Sequence, residues 1–142
     1  MDIMNKQAIR DLFKRLEKEY GLTEQERFMN YYYLRGKKKI FIINKPIEIE
    51  KKEREGIHII SEEPFGLRLT IEGSQMFGPF LTKKVIELNR EQFLQYLRGK
   101  DLEIETPYKK EFVVLKYNNI FLGSGLAYPN KIINYLPKAR RI

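Results

Sequence analysis

A chain of 142 residues, 42% hydrophobic and 13% aromatic, holds enough apolar material for one packed core and too little for two domains of ordinary size. Lys and Arg number 27 against 19 Asp and Glu, and the resulting +8 favours anionic partners such as nucleic acid or an acidic membrane surface. With no cysteine, a disulfide scaffold, a thiolate metal site and a cysteine nucleophile are all excluded.

Other broad features follow from composition. One domain over residues 1–142 is expected, and a cysteine-free chain fits a cytoplasmic location. The longest apolar runs, such as Ile40-Phe-Ile-Ile43, fall far short of the roughly 20 residues that span a bilayer, so no membrane association is expected. The N-terminus carries Asp2, Lys6 and Arg10 among isolated apolar residues, which is not the pattern of a targeting segment. Abundant Ile, Lys and Glu give a thermophile-like usage, although Asn, at eight residues, is not depleted.

Residues 1–26 read as an N-terminal helical segment. Ile9, Leu12, Phe13, Leu16 and Tyr20 recur at helical spacing, with Asn5 placed to cap the start and Gly21 to end it in a left-handed turn. The outer face of Lys14, Arg15, Glu17, Lys18 and Glu19 mixes signs and reads as solvated. Next, Phe28 to Leu34 and Lys39 to Ile43 flank Arg35-Gly36-Lys37-Lys38, which predicts a β-hairpin whose tip lysines, Lys37 to Lys39, either grip phosphate or are the ordinary solvated residues of a turn. Strand alternation prevents Tyr31, Tyr32 and Tyr33 from all facing inward, so at least one is expected at the surface, able to stack on a base.

A short helix is expected between Pro46 and Gly56. Ile57 to Ile60 and Leu67 to Ile71 alternate as strands around Ser61-Glu-Glu-Pro-Phe-Gly66, and Gly73 to Pro79 reads as a tight connection with room for one helical turn. Val85 to Leu88 is a further strand. Asn89, followed by Gln92 three residues on, signals a capping box; Phe93, Leu94 and Leu97 are the expected buried side of that helix, and Gly99 its end. Ile104 and the run Phe112 to Leu126, turning across Asn118-Asn119, complete the sheet. About seven short strands with two or three helices are the inventory of a small closed β-structure with helical decoration.

Catalytic signals are weak. His58 is the only histidine, in a chain whose acids are scattered among lysines, and it reads as a structural strand residue. Glu62-Glu63 and Glu103 with Glu105 lack a polar partner in the pattern and read as solvated. No catalytic residue, metal site or cofactor is expected. Binding signals are stronger in the last third. Gly123 and Gly125, with Ser124 between them, either permit close approach of a ligand or mark a bulge that curls the sheet. Lys131, Asn134, Tyr135, Lys138, Arg140 and Arg141 gather charge, an amide and an aromatic into one short segment, a mixture suited to phosphates, base edges and stacking. Arg68, Lys83, Lys84, Lys109 and Lys110 are candidates of second rank, on loops and strands that could flank the same face.

The order of these motifs carries a resemblance. The Leu-Arg-Gly-x-Asp helix end at 97–101, the hydrophobic strand from Phe112, the Leu-Gly-x-Gly step at 122–125 and the Asn-Tyr-x-Pro-Lys-x-x-Arg close at 134–141 resemble the PUA-like RNA-binding domain that follows the catalytic domain in Sun-type RNA cytosine-5 methyltransferases. The similarity is clearest over residues 85–142. It extends more weakly through Glu19-Tyr-Gly-Leu22, Phe65-Gly-Leu-Arg-Leu69 and Gln75-Met-Phe-Gly78, back to about residue 10. The resemblance implies an α+β fold around a PUA-like mixed β pseudobarrel, with an N-terminal helix and flanking short helices. It also implies non-catalytic binding of structured ribosomal or transfer RNA, in support of RNA modification or ribosome biogenesis. The domain is expected to stand alone, working in trans beside an RNA methyltransferase or other modification enzyme, and the strand bearing Gly123 and Gly125, with the segment after it, is the implied RNA surface. The chain has no nucleophile for methylating cytosine by that family's route. The alternative is a protein-interaction adaptor whose charge keeps it soluble and whose exposed tyrosines form the interface.

Overall fold

The computed structural model describes residues 1–43 and 56–142. The helix expected between Pro46 and Gly56 lies, up to residue 55, outside the described residues. Helix α1 (Lys6–Tyr20) begins where Asn5 Oδ1 accepts a hydrogen bond from the Ala8 amide at 2.8 Å, and it ends at Gly21 with φ 65°. Around it, β1 (Asp2–Ile3), β2 (Tyr32–Arg35), β3 (Lys39–Ile43), β4 (Ile57–Glu63) and β5 (Gly66–Leu69) form an antiparallel sheet in sequential order. Short turns join β2 to β3 and β4 to β5, whereas α1 lies in the connection between β1 and β2.

The apolar stripe of α1, Leu12, Phe13, Leu16 and Tyr20, closes over this sheet against Tyr33, Ile40, Ile60 and Leu67. Tyr20 Oη donates to the Leu67 carbonyl at 2.6 Å, and burial, then the neighbouring Glu19 carboxylate, pushes its phenol far above the ordinary range. Of the three consecutive tyrosines only Tyr33 is buried, donating to the Phe28 carbonyl at 2.7 Å; Tyr31 and Tyr32 are each 40% exposed.

The second half holds α2 (Ile71–Phe77), β6 (Val85–Glu87), α3 (Arg90–Leu97), β7 (Glu111–Tyr117), β8 (Ile120–Tyr128) and β9 (Lys131–Asn134). Its sheet runs β6-β7-β8-β9, with β6 parallel to β7 and the other pairs antiparallel. Among the described residues there are three α-helices and nine strands, and the class is α+β with a PUA-like arrangement. The two sheets stay separate, so there is no closed barrel among the described residues. None of the helices there is long and apolar enough to cross a membrane.

Several elements depart from the sequence reading. Ile71 is the first residue of α2 and not the last of a strand, because Thr70 Oγ1 accepts from the Gly73 amide at 3.0 Å and caps a helix there. Gly73 belongs to that helix because it presses against the Ile59 carbonyl, where a Cβ would collide. Helix α3 opens with the expected capping box between Asn89 and Gln92, but Tyr96 is its deepest side chain, while Phe93, Leu94 and Leu97 are only partly covered. Ile104 lies outside the strands; Leu102 instead forms a bridge with Ile132 of β9. Strand β9 itself, and the two-residue β1, were not anticipated.

The halves pack directly on each other. Val114 of β7 enters the core beneath α1, Ser124 Oγ of β8 donates to the Leu69 carbonyl of β5, and Thr82 Oγ1 donates to the Gly21 carbonyl at 2.8 Å.

Candidate nucleic-acid interface

A cleft of about 250 Å³ opens where β4, β5 and α2 meet β8 and the C-terminal segment. Its described lining carries three cations, Lys39, Arg68 and Arg140, against one carboxylate, Glu72. Arg140 reaches Glu72 Oε2 at 3.2 Å across the mouth, and both side chains are largely solvated, so this pair is a weak latch.

Arg68 holds the centre. Strand alternation in β5 sends Leu67 and Leu69 into the core and leaves Arg68 on the cleft side. Its Nη2 donates to Ser61 Oγ at 3.1 Å and its Nε to Glu63 Oε2 at 3.2 Å, while the guanidinium carbon lies 5.1 Å from the Tyr135 ring centroid. Tyr135 meets Phe112 edge-on at 5.4 Å, Phe112 stacks on Phe65 at 4.9 Å, and Lys110 Nζ sits 4.6 Å over the Phe65 ring. The outcome is a ladder of cation, three aromatic rings and cation that joins the β4–β5 turn, β7 and the tail. Phe65 is 46% exposed at that turn, an apolar ring left in solvent.

His58, on the same side of β4, has Nε2 at 3.0 Å from the Ile60 carbonyl oxygen and 3.2 Å from Ser61 Oγ. Burial, and then the Lys39 and Arg68 cations, draw its pKa below the usual value, against the opposing pull of the Ile60 carbonyl and Glu72. It is neutral at neutral pH. Among the described residues there is no cluster of ligands able to hold a metal ion.

The residues singled out by sequence divide into two groups. Arg68, Tyr135 and Arg140 converge on the cleft, and Lys110 joins them through the ladder. Lys109, Lys131 and Lys138 are exposed, with Lys131 Nζ 5.6 Å over the Tyr128 ring; Lys83 is exposed too, donating to the Lys18 carbonyl at 3.4 Å. The others are drawn into the packing. Lys84 is buried, with Nζ 3.5 Å from Glu111 Oε1 and 4.6 Å over the Tyr20 ring. Gly123 and Gly125 are buried, the first against Tyr96 Oη and Ile71 and the second against Ile132, so the room they leave is filled by the protein's own side chains. The strand β7 opposite Gly123 carries a register shift between Leu115 and Lys116. The Asn134 side chain is bonded throughout to backbone, and Arg141 Nε donates to the Leu136 carbonyl at 3.0 Å while its side chain packs on Gly99. Lys39 was open to the sequence only as one of three lysines at the hairpin tip, and Phe65 and Glu72 were missed; the only signal for Phe65 was an aromatic in the turn Pro64-Phe65-Gly66, where polar residues are usual.

Residues 83–142 match the family model described as the methyltransferase RsmF PUA domain. This segment is a PUA-like domain of the Sun-type methyltransferases. A PUA domain is a non-catalytic RNA-binding domain, and in this family it accompanies a methyltransferase, so an RNA-binding role in that context attaches to the segment. Comparison with the curated proteins returns no match to the chain. The matched PUA-like segment contributes Lys110, Phe112, Tyr135 and Arg140 to the interface. The opposite wall, with Lys39, His58, Phe65 and Arg68, comes from residues upstream of it, as do Glu19-Tyr-Gly-Leu22 and the other weaker motifs.

Proposed function

We propose that the chain acts as one unit over residues 1–142 that binds structured RNA without transforming it, in the cytoplasm, beside an RNA methyltransferase. Ribosomal or transfer RNA is the class implied by the resemblance, and RNA modification or ribosome biogenesis the process. The observation that carries the reading is the ladder from Lys110 through Phe65, Phe112 and Tyr135 to Arg68, because a run of aromatic rings with a cation at each end suits phosphates and bases together. The +8 charge supplies long-range capture, Lys109, Lys110, Lys131 and Lys138 supply phosphate contacts, and Phe65 and Tyr135 supply faces for stacking.

Binding of purified ribosomal and transfer RNA, measured over a salt series, tests this. The logarithm of the binding constant should fall linearly with the logarithm of salt concentration, and K109A/K110A should flatten that slope by about 1–2. Phe65→Ala should weaken binding about fivefold or more at constant salt. Binding that ignores both changes would move the weight to the second reading, a protein-interaction adaptor. That reading is favoured by one observation, the exposure of the neighbouring Tyr31 and Tyr32 at the start of β2.

A further inference from the structure

The cleft has a composition that a general phosphate-binding surface does not need. Its volume, about 250 Å³, is on the scale of one nucleotide and not of a helix. Tyr135 presents a ring whose edge is fixed by Phe112, at an interplanar angle of 89°, and whose face carries the Arg68 guanidinium. Bases stack on rings and on guanidinium planes alike. Arg68 is itself held from two sides, by Ser61 and Glu63, so the platform is ordered before any ligand arrives. Lys39 and Arg140 stand among the lining residues as cations for the phosphates that flank a single extruded residue.

Resting on the RNA-binding reading, we propose that this cleft receives one unpaired nucleotide of the bound RNA, its base lying on the Tyr135–Arg68 platform and its phosphates near Lys39 and Arg140. The cleft then recognises a bulged or looped-out residue as a feature of RNA shape, while the exposed lysines bind paired and unpaired RNA alike. Its two walls come from opposite sides of the start of the PUA-like match, so the matched segment by itself would lack half of the site.

The test uses two RNA hairpins of the same stem sequence, one fully paired and one with a single bulged nucleotide carrying a fluorescent adenine analogue. The full-length chain should prefer the bulged hairpin about tenfold, with quenching of the analogue as it stacks. Tyr135→Leu should bring the two affinities together and abolish the quenching, Tyr135→Phe should retain both, and K109A/K110A should weaken both hairpins while keeping their ratio. Equal binding of the two hairpins by the unaltered chain, or a preference that survives Tyr135→Leu, overturns the cleft assignment and leaves RNA binding standing. Failure of the unaltered chain to bind either hairpin overturns the RNA reading itself and this assignment with it.

Discussion

Asn134 Nδ2 donates to the carbonyls of Tyr96 and Lys100, each at 2.9 Å, so one amide at the end of β9 closes the C-terminus of α3. Its Oδ1 accepts from the Leu136 amide at 2.7 Å, and its own backbone amide donates to Asp101 Oδ1 at 2.8 Å. The side chain that looked suited to reading a base edge is spent on holding Tyr135 in place. Asn134→Ala strips partners from two carbonyls and an amide, and should cost about 2–3 kcal/mol in denaturant unfolding. RNA affinity per folded molecule should stay within twofold of the unaltered chain; a larger fall at full folding would place the Asn134 amide on the RNA instead.

The glycine pair makes a related case. A Cβ on Gly125 would run into Ile132 on β9, and one on Gly123, where φ is 149°, would lie 2.8 Å from Tyr96 Oη and disturb its bond to the Ser124 carbonyl. Gly123→Ala and Gly125→Ala should each lower stability by about 1–3 kcal/mol through overpacking, with strain added at Gly123. Thermal unfolding of the two variants checks this, and a change in RNA affinity without loss of stability would return the glycines to the interface.

What the sequence shows well is whatever a few adjacent residues decide. The cap at Asn5, the left-handed Gly21, the capping box of Asn89 and Gln92 and the turn at Asn118-Asn119 each depend on groups within one turn of the chain, and each is in place. Gly73 sits inside a helix, against its propensity, only because the Ile59 carbonyl from β4 approaches it, and no local pattern announces that. Strand β9 has just Ile132 and Ile133 as apolar material and is fixed by pairing with β8 across a turn at Pro129-Asn130. The cleft is harder still, since Arg68 and Tyr135 meet only once both halves are folded. A basic aromatic tail was legible; which of its members face solvent was not.

His58 gives the cleft a pH dependence of defined sign. Its folded pKa lies below the ordinary 6.5, chiefly through burial. In the unfolded chain, near 6.5, the imidazole therefore takes up its proton first as pH falls. Stability is fully present above that value and declines as pH drops through it toward the lower folded pKa. Urea midpoints should fall between about pH 7 and pH 5, modestly because the ring is only half-buried, and His58→Gln should flatten the trend. An RNA phosphate in the cleft opposes this. By favouring the imidazolium it should raise the His58 pKa in an imidazole proton NMR titration, whereas RNA bound elsewhere should leave the titration where it was.

The same chemical change should act with opposite sign at two serines. Ser74, fully buried in α2, has a hydroxyl that finds no hydrogen-bond partner among the described residues. Ser124, buried in β8, donates to the Leu69 carbonyl and so ties the second sheet to the first. Ser74→Ala removes an unpaired dipole from an apolar setting and improves helix propensity, and should raise stability by about 1 kcal/mol. Ser124→Ala leaves a carbonyl short of a donor at the seam between the sheets and should lower it by about 1–2 kcal/mol. Parallel urea titrations decide both, since a destabilising Ser74→Ala would mean that its hydroxyl is satisfied after all, and a neutral Ser124→Ala that the contact between β8 and β5 rests on packing alone.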